Sequence, residues 1–309
     1  MPTPAIRSIE SGDRHAIAET IFASLNAYYE SIGRGPLMQG TPEEAAGIFF
    51  DVYQRLDPGE GIVALCPESG EVLGVCFVHP RETHVSLGIV AVRPEAFGQG
   101  VAKALVLAAL EKADALDLPA RLVSSCFNLD SYSLYTRRGF VPFSTFQDVM
   151  VPVPEDGVLE PIVDAPIVRP AEMKDVESMG ELEMAVCGIS RRQDYRYFIE
   201  NAEGIWSVSV VDGARGLDGF MVSSGATSFN MIGPGVTRSE AVAMALLHRE
   251  LSRYPGRTPV VLCPVDAGEV VRALYRWGGR NIEMHVAQCR GRAQLARGCV
   301  FPTFLPESG

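Results

Sequence analysis

The chain has 309 residues, 47% of them hydrophobic and 21% charged, with 30 Gly and 21 Pro. Such usage is ordinary for globular proteins, excludes a disordered chain or a coiled coil, and at this length predicts about two domains. The formal net charge of −11 argues against a general partner for nucleic acid or anionic membranes.

No apolar run approaches the roughly 20 residues that span a bilayer, so no membrane association is expected. The amino-terminal stretch lacks the apolar centre of a secretory signal, and a cytoplasmic location is expected. Cysteines stand at 66, 76, 126, 187, 263, 289 and 299, with no CxxC pair. Their odd number and apolar settings predict reduced thiols and no metal site.

Apolar positions Ile17, Ile21, Phe22 and Leu25 predict a helix over residues 13–29. A second helix is predicted at 42–55, opened by Thr41 and Glu44 at capping-box spacing. Strands follow at 61–66, 72–78 and 84–92, the first two joined by the turn Pro67-Glu-Ser-Gly70. A Gly-rich turn then leads into a helix at 100–116. A strand at 121–126, a short helix at 130–138 and a strand at 143–151 close this part. The stretch Val151–Pro166 holds prolines at 152, 154, 161 and 166 and reads as an extended linker.

The same order returns beyond the linker: strands at 205–211 and 217–223, then Gly233-Pro234-Gly235 as the turn. A helix is predicted from a Thr237/Glu240 capping box to about residue 254, then a strand at 259–263, a helix at 267–277 and a strand at 282–288. Gly233 follows Gly98 by 135 residues, and Gly279 follows Gly139 by 140. An internal duplication is inferred, with domains at 1–153 and 167–309 and a linker at 154–166.

One constellation carries chemistry. In Val90-Ala-Val-Arg-Pro-Glu-Ala-Phe-Gly-Gln-Gly-Val-Ala-Lys103 a strand enters a turn with Gly98, Gly100 and Ala102, and a helix starts at once. Small residues let backbone approach a ligand, and the unpaired N–H groups of the helix start suit a pyrophosphate. Neither G-x-G-x-x-G nor G-x-x-x-x-G-K-[ST] is present. About 30 residues on comes Ser124-Ser-Cys-Phe-Asn-Leu-Asp-Ser-Tyr-Ser-Leu-Tyr-Thr-Arg-Arg-Gly-Phe140.

Together these segments resemble the GNAT acetyltransferase superfamily. The first is similar to its Q/R-x-x-G-x-G/A acyl-CoA loop, here Phe97-Gly98-Gln99-Gly100-Val101-Ala102; the second to its N-x-x-A-x-x-x-Y-x-x-x-G-F segment, here Asn128, Ser131, Tyr135, Gly139 and Phe140. Phe97 departs from the usual Gln or Arg.

The resemblance implies an α/β fold, two GNAT-like units in tandem, and acetyl-CoA as co-substrate. It implies direct attack by the primary amine of a small molecule, with Tyr135 as general acid. Val90, Ala91 and Val92 would pair with the pantetheine arm. Residues 97–103, ending at Lys103, would hold the pyrophosphate, while Asn128 and Ser131 would contact the arm. His84 is the candidate base, and Tyr28, Tyr29 and Glu82 would shape the acceptor site. Other acyl-CoA chemistry, or CoA sensing without turnover, are the alternatives. Monomer and homodimer both stay open.

In the second part Tyr275 stands where Tyr135 does. Pro234 has no N–H to give, however, so no CoA is expected there. Arg191-Arg-Gln-Asp-Tyr-Arg-Tyr197 reads as a solvated helix face, although an acceptor's anionic group would also suit it. His248 and His285 read as structural, and Trp206 and Trp277 as core. The tail with Phe301, Phe304 and Leu305 is expected to dock on the fold.

Overall fold

The computed structural model describes residues 3–303. Contacts divide the chain into two compact units, with the boundary between Leu122 and Val123.

The first unit begins with strand β1 (Ala5–Ser8), helix α1 (Arg14–Ser31) and helix α2 (Pro42–Leu56). The predicted capping box at Thr41 and Glu44 is present, with Pro42 in the first turn. It satisfies helix-start N–H groups that have no intrahelical acceptor. Strands β2 (Ile62–Leu65), β3 (Val72–Pro80) and β4 (Val85–Val92) form an antiparallel meander, with β1 on the edge of β2. Helix α3 (Val101–Ala115) leads to β5 (Ala120–Ser125), which lies parallel to β4. Gly74 of β3 faces α3; a Cβ there would meet Val101 and Leu105. Phe77, three residues on, meets Tyr53 of α2 at a ring distance of 4.4 Å. Side chains alternate along a strand, so the two helices cover opposite faces.

The second unit starts within β5. It holds α4 (Leu129–Thr136), β6 (Val141–Met150), β7 (Val168–Pro170), α5 (Val176–Cys187) and α6 (Arg192–Glu200). Then come β8 (Trp206–Gly213), β9 (Gly216–Gly225), β10 (Asn230–Thr237), α7 (Glu240–Leu251) and β11 (Val260–Pro264). Helix α8 (Gly268–Arg276), β12 (Arg280–Arg290) and β13 (Cys299–Phe301) complete it. From the end of β5 the strand order is β12–β6–β11–β10–β9–β8–β7, with β13 beside β10. Tyr195 of α6 stacks edge-on against Phe220, while Ser223 on the opposite face bonds Glu250 of α7.

The contact boundary does not fall at the proline-rich stretch because β6 is held on both edges by later strands, β11 and β12. Val151 and Val153 extend this pairing through Pro259 and Arg257, and with Leu159 they enter the core around α7. Trp206 and Trp277 are buried, as expected.

Three readings are corrected. Gly233-Pro234-Gly235 is no turn; it lies inside β10, where the register against β9 shifts between Ile232 and Gly235. Proline sits in a strand where a bulge relieves it of ladder bonding. The cap of α7 is Ser239, not Thr237, and its hydroxyl accepts from Val242 N–H. The segment from Arg191 to Tyr197 is not a solvated face: Arg191, Asp194, Tyr195 and Tyr197 are buried, and Arg191 pairs with buried Glu183 at 2.6 Å. Phe301 is fully buried; Phe304 and Leu305 lie outside the described residues.

Candidate functional site

The sequence-predicted site residues fall on two local structures, one in each unit. In the first unit β4 and β5 share only two ladder pairs, Val85 with Ala120 and Ser86 with Arg121. Beyond them β4 continues from Leu87 to Val92 along β3 alone, among the described residues. Gly88 and Ile89 together oppose Phe77, so β4 carries a bulge just before Val90. A bulge re-aims the backbone groups that follow it. Val90 is half-buried, Ala91 and Val92 are buried, and Val92 N–H donates to Ser24 Oγ on α1 at 3.3 Å.

The chain then turns through residues 93–100 into α3. Gly98 and Gly100 have φ of 74° and 86°, and a Cβ built on either meets nothing within 4 Å. Both glycines are therefore set by backbone conformation, and the space above them is open. No side chain caps α3. The first intrahelical bond formed there runs from Ala104 N–H to Gly100 C=O at 3.0 Å. The N–H groups of Val101, Ala102 and Lys103 thus point out of the helix start with no intrahelical acceptor, where the helix dipole favours an anion. The Gln99 amide bonds Glu95 C=O, Lys103 is exposed, and Phe97 is 45% exposed rather than part of the core.

His84 directly precedes β4 and is fully buried, 3.0 Å from Thr83 Oγ1 through Nδ1. Glu82 is exposed in the β3–β4 turn. Tyr28 and Tyr29 meet edge-on in the last turn of α1, 5.8 Å between ring centres.

In the second unit, Asn128 is the cap of α4; its Oδ1 accepts from Ser131 N–H at 2.9 Å. Ser131 is half-buried one turn before Tyr135. Tyr135 is 7% exposed and rests edge-on against Phe140. Gly139, at φ 87°, ends this helix–turn.

The corresponding loop before α7 differs in four ways. Between β10 and α7 stand only Arg238 and Ser239, against residues 93–100 in the first copy. The helix start is closed by its own Ser239 side chain. The Glu240 carboxylate caps α8, accepting from Glu269 and Val270 N–H at 2.6 and 3.1 Å. Finally, β10 pairs with β11 only at Met231 and Ile232. Beyond that point β13 takes the same edge, pairing Gly235, Val236 and Thr237 with Phe301, Val300 and Cys299. A Cβ on Gly233 would lie 2.7 Å from Pro302 C=O, so this glycine is required by the close approach of the tail. With the helix caps aligned, Ser239 follows Gly100 by 139 residues, in step with the 140 between Gly139 and Gly279.

Among the described residues no group of three or more His, Cys, Asp or Glu side chains is placed to hold a metal ion. No helix there is long and apolar enough to cross a membrane.

The model of the acetyltransferase (GNAT) family matches residues 22–140. A mycothiol acetyltransferase of Pseudarthrobacter chlorophenolicus is 39% identical over 121 residues, 35% of this chain. That match spans 36% of the relative's length. Among solved structures, a putative acetyltransferase from Pyrococcus horikoshii superposes with a TM-score of 0.72 at 14% identity, covering 97% of this chain and 92% of its own. A tandem GNAT protein from the clavulanic acid biosynthesis pathway gives 0.59 at 15% identity, covering 94% and 100%. These structural likenesses establish the fold.

Proposed function

We propose that this chain, whose residues 22–140 match the model of the GNAT acetyltransferase family, transfers the acetyl group of acetyl-CoA to the primary amine of a small molecule. The observation that carries the reading is the uncapped start of α3 beneath two left-handed glycines with open space above them. It offers the backbone N–H groups of Gly98, Gly100, Val101, Ala102 and Lys103 to a pyrophosphate, while Gln99 N–H is held by Ala96 C=O. The shortened loop, the Glu240 carboxylate and the β13 strand support binding in the first copy alone.

In this reading, residues 90–92 of β4 pair with the amides of the pantetheine arm and orient the thioester. N–H groups near the β4 bulge stabilise the charge that develops on the thioester oxygen. His84 takes the proton that the amine must lose before it attacks. The C–N bond forms as the C–S bond breaks, and Tyr135 O–H donates a proton to the departing thiolate. Asn128 and Ser131 face the arm, and Tyr28, Tyr29 and Glu82 shape the acceptor side.

The test is thiol release from acetyl-CoA across a panel of primary amines, with wild type beside Tyr135→Phe. Wild type should turn over at least one amine, and the variant should be slower by roughly 10²–10⁴-fold. Tight CoA binding without turnover of any amine would replace catalysis with sensing. Wild-type rates in Tyr135→Phe would remove the general-acid role.

A further inference from the structure

Strand β12 belongs to the later copy, yet it meets the turn that carries Asn128. Three buried titratable side chains gather along it: Asp148 of β6, and Glu283 and His285 of β12. His285 Nδ1 lies 2.8 Å from Asp148 Oδ1. Ile282 is an extra residue in the ladder between Asn281 and Glu283. Without it, the following side chains would fall on the other face of the strand.

We propose that Glu283 is a positioning residue for the Asn128–Tyr135 element, acting through Ser125. The proposal rests on the reading above that this element serves the reaction. The Glu283 carboxylate accepts from Ser125 Oγ. Ser125 Oγ in turn accepts from Phe127 N–H at 3.0 Å, and Ser125 C=O accepts from Asn128 N–H at 3.3 Å. Asn128 then caps α4 through Ser131 N–H. One carboxylate therefore fixes the hydroxyl that folds the turn, and the turn fixes the helix that presents Tyr135.

The duplication supplies an internal control. Beside this contact, Cys126 N–H donates to Met284 C=O at 2.9 Å. The later copy repeats that backbone bond, Val265 N–H to Thr145 C=O at 3.1 Å, just before α8. There the residue preceding the donor is Pro264, which has no hydroxyl, and the residue preceding the acceptor is Ser144. The backbone bond is thus common architecture, whereas the carboxylate–hydroxyl clamp occurs only at the turn with Asn128. A clamp serving the fold alone has no reason to respect that asymmetry.

The experiment compares Glu283→Ala, Glu283→Gln and Ser125→Ala in the full chain. Turnover is read as thiol release from acetyl-CoA with the most reactive amine of the panel, and backbone order as hydrogen exchange of the Phe127, Asn128 and Ser131 amides. Glu283→Ala should lower kcat by roughly 10-fold or more, with the KM for acetyl-CoA changed less than about threefold, and should speed exchange at the three amides. Glu283→Gln keeps an acceptor for Ser125 Oγ and should restore both. If Glu283→Ala does not fold, Ser125→Ala should show the same kcat loss. A cooperatively melting Glu283→Ala or Ser125→Ala with wild-type kcat and unchanged exchange overturns the proposal. Loss of kcat in Glu283→Ala alongside wild-type rates in Tyr135→Phe would fault the assigned role of Tyr135 and leave the clamp standing.

Discussion

Replacing Gly100 by Asp tests the proposed anion site at an exposed glycine. A Cβ at this position meets nothing within 4 Å, so the added Cβ makes no clash. Its φ of 86° imposes a conformational cost of roughly 1–2 kcal/mol on any L-residue, least for Asp and Asn. Gly100→Asn pays that cost without a charge and is the control. Asp adds a carboxylate beside N–H groups that the reading assigns to a pyrophosphate. Two unit charges about 5 Å apart at an effective dielectric near 20 repel by about 3 kcal/mol, roughly 150-fold in affinity. Calorimetric titration with CoA should therefore show Gly100→Asn within about fivefold of wild type and Gly100→Asp weaker by about two orders of magnitude. A donor without the pyrophosphate, S-acetylpantetheine, should be used equally well by both variants. Equal CoA affinity in wild type and Gly100→Asp would refute the assignment of the loop.

Three further outcomes follow from buried contacts. Burial opposes ionisation of Asp57, but hydrogen bonds from His79 and Arg81 outweigh it and hold its carboxyl below the usual range. The stability it contributes is present above the unfolded carboxyl value near 4 and is lost as pH falls through the lower folded value. Asp57→Asn, which leaves Arg81 buried without its charge partner, should cost about 3–5 kcal/mol at pH 7 by urea unfolding, with a gap that narrows below about pH 4. Arg191→Met strands the fully buried Glu183 carboxylate and should cost a similar 3–5 kcal/mol, read as the shift in urea midpoint; a midpoint unchanged from wild type would mean that Glu183 finds another partner. Gly233→Ala drives a methyl to within 2.7 Å of Pro302 C=O and should lower Tm by several degrees, while CoA affinity stays at the wild-type value.

Local signals in the sequence located most elements of the first unit. The Thr41–Glu44 cap, the hairpin at residues 67–70 and the glycine turn before α3 depend on residues within a few positions of one another. Pairings between distant residues were not legible. Nothing near Glu283 signals its bond to Ser125, 158 positions away in the chain. Strand β13 is three residues long and gains its identity only from β10. The Arg191 segment reads as solvated because the α6 sequence alone does not show that Arg191 pairs with Glu183, and Arg192 and Arg196 with Glu177, both acids on α5. Gly-Pro usually marks a turn, and at Gly233 it marks a strand irregularity, because the tail lies against it.

Hydrogen exchange of the full chain with and without acetyl-CoA bears most directly on the central claim that the first copy alone holds the donor. One molecule should bind per chain, with slowed exchange at the amides of Gly98, Gly100, Val101, Ala102 and Lys103 and along residues 90–92. Exchange at residues 235–240 should not change. Protection at residues 235–240, or a second equivalent of bound acetyl-CoA, would contradict it.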